Sequence, residues 1–192
     1  MDILKVKPAT KRPIIVRAAT SLFAEKGIDA TSMRDIAEAA GVREAAIYRH
    51  FVGKDDLARD IFLSWYSWHC TELQRILGRP GSTLDRLREI VAHEFSAVTE
   101  HAEAFVYFCE NEARFVRDLP HGTMSARRIF MAFIKTGQAC GEVRPASPEL
   151  LADMLSGALC AVALAWLGTG RRRKLSAQLD EVVDGCWRMI AA

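Results

Sequence analysis

The side chains best suited to chemistry crowd into the stretch from Thr31 to Lys54. Thr31 and Ser32 fall where a helix begins, so their hydroxyls and the free N–H groups of that terminus suit a phosphate oxygen. Arg34 can reach a phosphate or a groove edge. Arg43 and Glu44 open the next helical stretch. There an Arg fits the acceptors of guanine, and a Glu can accept from the amino group of cytosine. Tyr48, His50 and Lys54 suit flanking phosphates, contacts that hold a protein in place without reading sequence. This chemistry is recognition of double-stranded DNA.

Other chemistries have weaker support. His93-Glu94 starts an H-E-x-x-H zinc pattern, but Ala97 stands where the second His is required. No G-x-S-x-G, phosphate loop or Rossmann glycine run appears, so an enzyme is not expected. A metal site from His69, Cys70, His93, His101 or Cys109 would have to be assembled in three dimensions. Neither a metal nor a cofactor is therefore predicted. The five cysteines (Cys70, Cys109, Cys140, Cys160, Cys186) are scattered and lack C-x-x-C spacing. That arrangement reads as free thiols in a reducing cytosol. Trp65, Trp68, His69, His93, Tyr107, Phe108, Phe130 and Phe133 form a set, mostly apolar with a few polar tips, that fits an apolar or aromatic ligand.

These residues need helices to place them, and helical periodicity runs through nearly the whole chain. Ile15, Ala18, Ala19 and Leu22 predict a helix from about Pro13 to Lys26. Ser32 with Asp35 is a capping-box pattern for a second, which buries Ile36, Ala37 and Ala40. Gly41 and Val42 make a tight corner, and a third helix is expected over Arg43 to His50. A fourth begins after Gly53 and runs to about Leu77, with Leu57, Ile61, Trp65 and Trp68 along one side. Gly78 to Ser82 is the clearest break. Beyond it, Leu84, Leu87, Val91, Phe95 and Val98 mark a fifth helix. Two more follow, over about His101 to Val116 and Gly122 to Cys140, separated by Pro120. Ser147-Pro148-Glu149 is a strong start for an eighth. The ninth runs from about Lys174 to Ile190, after the basic loop Arg171 to Arg173.

Composition sets the outer limits. The 192 residues suit one or two domains, and half of them are hydrophobic, as in a folded soluble protein. The net charge of +2 does not announce a polyanion partner, so any DNA affinity depends on where the charges sit. The N-terminus lacks a signal-peptide core, and a cytoplasmic location is expected. Leu150 to Leu167 approaches transmembrane length, but Asp153, Ser156 and many small residues favour a buried or interface helix over a membrane span.

Residues Pro13 to Leu57 resemble the TetR family of bacterial transcriptional regulators. The resemblance rests on AATSLFAEKGIDATSMRDIAEAAGV (Ala18 to Val42) and IYRHFVGKDDL (Ile47 to Leu57). It implies an all-α fold of about nine helices and a homodimer formed through the last two. A helix-turn-helix DNA-binding domain would occupy 1–53, and a ligand-binding and dimerisation domain 54–192. Carried over, Thr31, Ser32, Tyr48, His50 and Lys54 match phosphate-holding positions, and Arg43, Glu44 and Ala45 those nearest the bases. Arg43 replaces the usual small hydroxyl residue and Ala45 the frequent Gly. Dimerisation would use Gly157, Ala158, Ala161 and Ala165 of the eighth helix and Val182, Val183 and Met189 of the ninth. The expected function is a ligand-responsive regulator, a repressor of a palindromic operator released by a small apolar or aromatic effector. The rival reading is an all-helical enzyme or metal-binding bundle using the aromatic pocket.

Overall fold

The computed structural model describes residues 11–119, 123–170 and 174–192. Pro120 and the basic loop Arg171 to Arg173 lie outside the described residues. Among those described, nine α-helices and two short 3-10 turns make up the regular structure, with one isolated β-bridge between Val143 and Ala191. The chain divides into two compact units, Met1–Leu63 and Ser64–Ala192.

In the first unit, α1 (Arg12–Lys26) carries Pro13 in its first turn and buries Ile15, Ala19 and Phe23, one residue per turn along a single side. Helix α2 (Met33–Ala39) has the full capping box: the Ser32 hydroxyl accepts from the Asp35 N–H, and the Asp35 carboxylate accepts from the Ser32 N–H. Lys26 also donates to that carboxylate. These donors pull the Asp35 pKa down to about 2. Gly41 then takes φ +63°, a backbone position that L side chains resist, and the chain reverses into α3 (Glu44–Ile47).

Helix α3 is shorter than the predicted Arg43 to His50. Arg43 supplies no side-chain cap, and after Ile47 the chain tightens, the His50 N–H donating to the Ile47 carbonyl while Phe51 turns inward. Helix α4 (Lys54–Leu77) begins in the first unit, with Leu57, Ala58, Ile61 and Phe62 buried, and continues into the second. The Asp56 carboxylate accepts from the Val52 N–H and closes its start.

The second unit adds α5 (Thr83–Glu100), α6 (Ala102–Phe115), α7 (Ala126–Ala139), α8 (Pro148–Gly168) and α9 (Leu179–Ile190). Helix α7 lies along α8, and α9 along α5. Leu84, expected inside α5, faces out, and Thr83 takes the inner position because Glu142 accepts from both its N–H and its hydroxyl. Trp68, expected on the buried side of α4, is 40% exposed; Tyr66, His69, Cys70 and Leu73 turn inward instead. The Tyr66 hydroxyl accepts from the Ala126 N–H at 2.9 Å and so joins α4 to the first turn of α7. After α7 the chain is tied to the C-terminus by Arg144 N–H to the Ile190 carbonyl and Ala192 N–H to the Glu142 carbonyl. The predicted start of the ninth helix at Lys174 is instead a 3-10 turn, Leu175–Gln178.

Candidate functional site

Around α2 and α3 a set of polar groups reaches solvent. Ser32, Arg34, Arg43, Glu44, Ala45, Tyr48 and His50 are all exposed. Glu44 and Tyr48 sit one turn apart on the same side, the phenol 3.5 Å from the Glu44 carboxylate. Beneath these groups Ile36, Ala37 and Ile47 are buried, so the core fixes the backbone while the polar groups stay free to meet a partner. Arg49, which sequence reasoning passed over, is exposed between Tyr48 and His50 and adds a fourth cation to Arg34, Arg43 and Lys54. Its signal in the sequence is a basic residue flanked by two groups suited to phosphates.

Two expected phosphate holders are placed differently. Thr31 is buried, its hydroxyl donating to the Gly27 carbonyl at 2.8 Å and its N–H to the Ile28 carbonyl at 3.2 Å. Both of its donors are used inside the loop, so Thr31 shapes the approach to α2 and has no proton to offer a phosphate. Lys54 is half-buried and donates to the Asp29 carbonyl at 3.2 Å, joining the start of α4 to the α1–α2 loop. Its ammonium retains two further donors.

A separate cavity of about 350 Å³ lies within the second unit, walled by α4 to α8. Of the eight aromatic and histidine residues expected to line it, His69, Phe108 and Phe130 do. The others do not, each for its own reason. Trp65 stands behind the wall, stacked on His69 and 4.5 Å from Phe108 between ring centres. Trp68 packs against His93 and His101 at the surface. His93 reaches the cavity only through His69, and Tyr107 and Phe133 are core. Sequence reasoning missed Glu94, Phe105, Cys109, Glu112, Arg127, Asp153 and Cys160, which also line it. No spacing rule links residues on four different helices, so this set is visible only in the fold.

The cavity's polar groups are few. Glu94 is buried, with its carboxylate 3.5 Å from His69 Nε2, and burial pushes its pKa up to about 7. Burial likewise pushes His69 down to about 4, so near neutral pH the imidazole is uncharged. His69 Nδ1 lies 3.2 Å from His93 Nε2, which makes a chain Glu94–His69–His93. Arg127 and Asp153 form a bidentate pair at the rim, at 2.7 and 2.8 Å. Of the five residues considered for a metal, His69 and His93 are brought together, but by a hydrogen bond. Among the described residues no group of three His, Cys, Asp or Glu is arranged to hold a metal ion. A second hollow of about 480 Å³ lies between Phe95, Trp166 and Leu179, without a buried charged group.

Helix α8 is long and apolar enough to cross a membrane. One side of it, Leu151, Ala152, Leu155, Leu159 and Ala163, is packed within the unit. The other side exposes Leu150, Met154, Gly157, Ala161, Leu164 and Ala165, and Ala158 is half-buried. On α9, Val182, Gly185 and Met189 share a side, half-buried or exposed. Val183, expected at a dimer surface, is instead core at 2% exposure, on the side of α9 that also buries Cys186 and Ile190.

The model for bacterial regulatory proteins of the tetR family matches residues 15–61, the α1–α4 stretch that carries the polar groups around α2 and α3. The chain is 30% identical over 145 residues to the HTH-type transcriptional repressor KstR2 of Mycolicibacterium smegmatis, covering 72% of this chain and 70% of that protein. Its fold is similar to that of the ketosteroid transcriptional regulator KstR2 of Mycobacterium tuberculosis, with a TM-score of 0.75 at 20% identity over 95% of each chain. It is also similar to the transcriptional regulator FadR of Bacillus subtilis solved in complex with stearoyl-CoA, with a TM-score of 0.75 at 17% identity over 91% of this chain and 96% of that one.

Proposed function

The chain belongs to the TetR family of bacterial regulatory proteins and is a DNA-binding transcriptional regulator, and from that premise we propose how its residues divide the work. Ser32, Arg34, Tyr48, Arg49, His50 and Lys54 hold the phosphates, while Arg43, Glu44 and Ala45 meet the base edges. Residues 1–53 form the reading head, and the rest serves effector binding and dimerisation. The observation that carries this reading is the exposure of these groups, Lys54 partly so, around a capped helix start and a buried corner.

The protein acts as a repressor on a palindromic operator, as a homodimer that pairs the exposed small-residue side of α8 and the Val182–Met189 side of α9. The effector occupies the α4–α8 cavity. A volume of about 350 Å³, Phe105, Phe108 and Phe130 in the wall, and a Glu94 that favours its neutral form together suit an apolar molecule with one polar group. A relative's name refers to ketosteroids and a fold neighbour was solved with stearoyl-CoA, and both point to the same class. His69 of α4 touches that cavity and Lys54 opens the same helix, so an effector that prefers a different setting of α4 would alter DNA affinity. The usual scale for such coupling is about 5–150-fold.

Anisotropy titrations of the protein on labelled duplexes at 50 and 200 mM salt test the reading. Affinity falls steeply with salt, and Arg49→Ala reduces the slope, as expected when a charged phosphate contact is lost, whereas Ser32→Ala weakens binding without changing the slope. Absence of DNA binding at low salt would overturn it.

A further inference from the structure

Cys109 on α6 and Cys160 on α8 face each other across the cavity wall, their sulfurs 3.6 Å apart, although 51 residues separate them in the chain. A disulfide needs about 2.05 Å between sulfurs, so closure asks for roughly 1.5 Å of movement, within the reach of two side-chain rotations. Both thiols are half-buried and both line the cavity, which gives a small oxidant a route to them. The remaining cysteines are placed differently: Cys70 and Cys186 are buried, and Cys140 is exposed at the end of α7. We propose that Cys109 and Cys160 are an oxidisable dithiol, closed to a disulfide by hydrogen peroxide entering the cavity and opened again by thiol reductants.

The chemistry balances with one peroxide. The Cys160 thiolate attacks a peroxide oxygen, the O–O bond breaks, and hydroxide leaves and takes up the proton that the thiol had lost, giving water. The Cys109 thiol then attacks the Cys160 sulfenic sulfur, the S–S bond forms, and the sulfenic oxygen leaves with the Cys109 proton as a second water. Two thiols are oxidised by two electrons in all, and the peroxide is reduced by two. Either sulfur of this contact can donate; with the Cys109 S–H as donor, the Cys160 thiol is drawn below the usual thiol range and the Cys109 thiol pushed above it, which makes Cys160 the attacking thiolate. Burial, and then Glu94 and Glu112, oppose the thiolate, but each more weakly than this hydrogen bond favours it. The new bond would tie α6 to α8 and remove both thiols from the cavity lining.

The test is peptide mapping of the full chain after treatment with hydrogen peroxide, with blocking of the remaining thiols. The expected result is loss of two hydrogens from the intact mass and a linked Cys109–Cys160 peptide, fully reversed by dithiothreitol. Cys160→Ser abolishes the link and leaves Cys109 free to alkylation. The wild-type map decides the matter even if that variant folds poorly. The proposal is overturned if peroxide leaves both thiols free, drives them separately to sulfinic acid, or links either one to Cys140. None of these outcomes depends on whether the cavity takes an effector.

Discussion

Arg43 and Tyr48 flank α3 at its two ends, both exposed, and their chemistry separates their expected effects. A phenol donating to a phosphate carries no base information, so Tyr48→Ala weakens binding to every sequence alike, by about 1–2 kcal/mol or roughly tenfold. Arg43→Ala relaxes preference at one base pair, worth about 1–3 kcal/mol of discrimination. Titrating both variants against a panel of duplexes separates the two roles; a change of base preference in Tyr48→Ala would contradict the division. Glu94 and His69 give a pH test. Glu94, raised from 4.5 to about 7, contributes stability that is present at low pH and lost as pH rises through that window. His69, lowered from 6.5 to about 4, contributes stability present above 6.5 and lost as pH falls. Between about pH 4.5 and 6.5 the two slopes oppose and the wild type stays nearly flat. Glu94→Gln removes one of them, so its stability climbs with pH over that range by up to about 1.4 kcal/mol per unit. Thermal melts across the range measure it, and a flat variant would contradict the assignment.

Elements were more legible than sites, and the reasons lie in particular residues. Ser32 with Asp35 announces a helix start through short-range hydrogen bonds, and that capping box forms as read; Ser82 with Asp85 makes the same box at the start of α5. Ser147 before Pro148 likewise caps α8 by accepting from the Leu150 N–H. Burial depends on partners far along the chain, and there periodicity failed. Leu84 faces out because Glu142, on a distant turn, holds Thr83 inward. Trp68 lies outside for a similar reason, since His69 and Tyr66 take the inner side of α4. The cavity was only partly legible because its lining is spread over five helices. Gly137 shows a constraint that spacing cannot reveal. A Cβ there would collide with Val143 and lie 3.0 Å from Thr83 Cγ2. Gly137→Ala therefore destabilises the protein by about 1–3 kcal/mol through overpacking, although Ala in a helix is favoured by about 1 kcal/mol elsewhere. A lowered urea midpoint is expected, and an unchanged or higher one would show that the site can relax.

For the whole molecule, the exposed apolar side of α8 is the feature that a monomer leaves unexplained. Contiguous apolar surface of this kind marks an interaction site. Ala161 lies on it, away from the cavity, whereas Gly157 borders both and makes a less clean probe. Ala161→Arg places a charge at the centre of the proposed interface, so sedimentation shifts from dimer to monomer while the helical circular-dichroism signal stays. A persistent dimer would move the interface elsewhere. The central claim joins this dimer to the polar groups around α2 and α3, and selection of bound sites from random DNA tests both together. The account predicts an enriched inverted repeat whose half-site centres lie about one DNA turn, roughly 34–36 Å, or a multiple of it apart. Enrichment of a single unrepeated site, or of none, would contradict it.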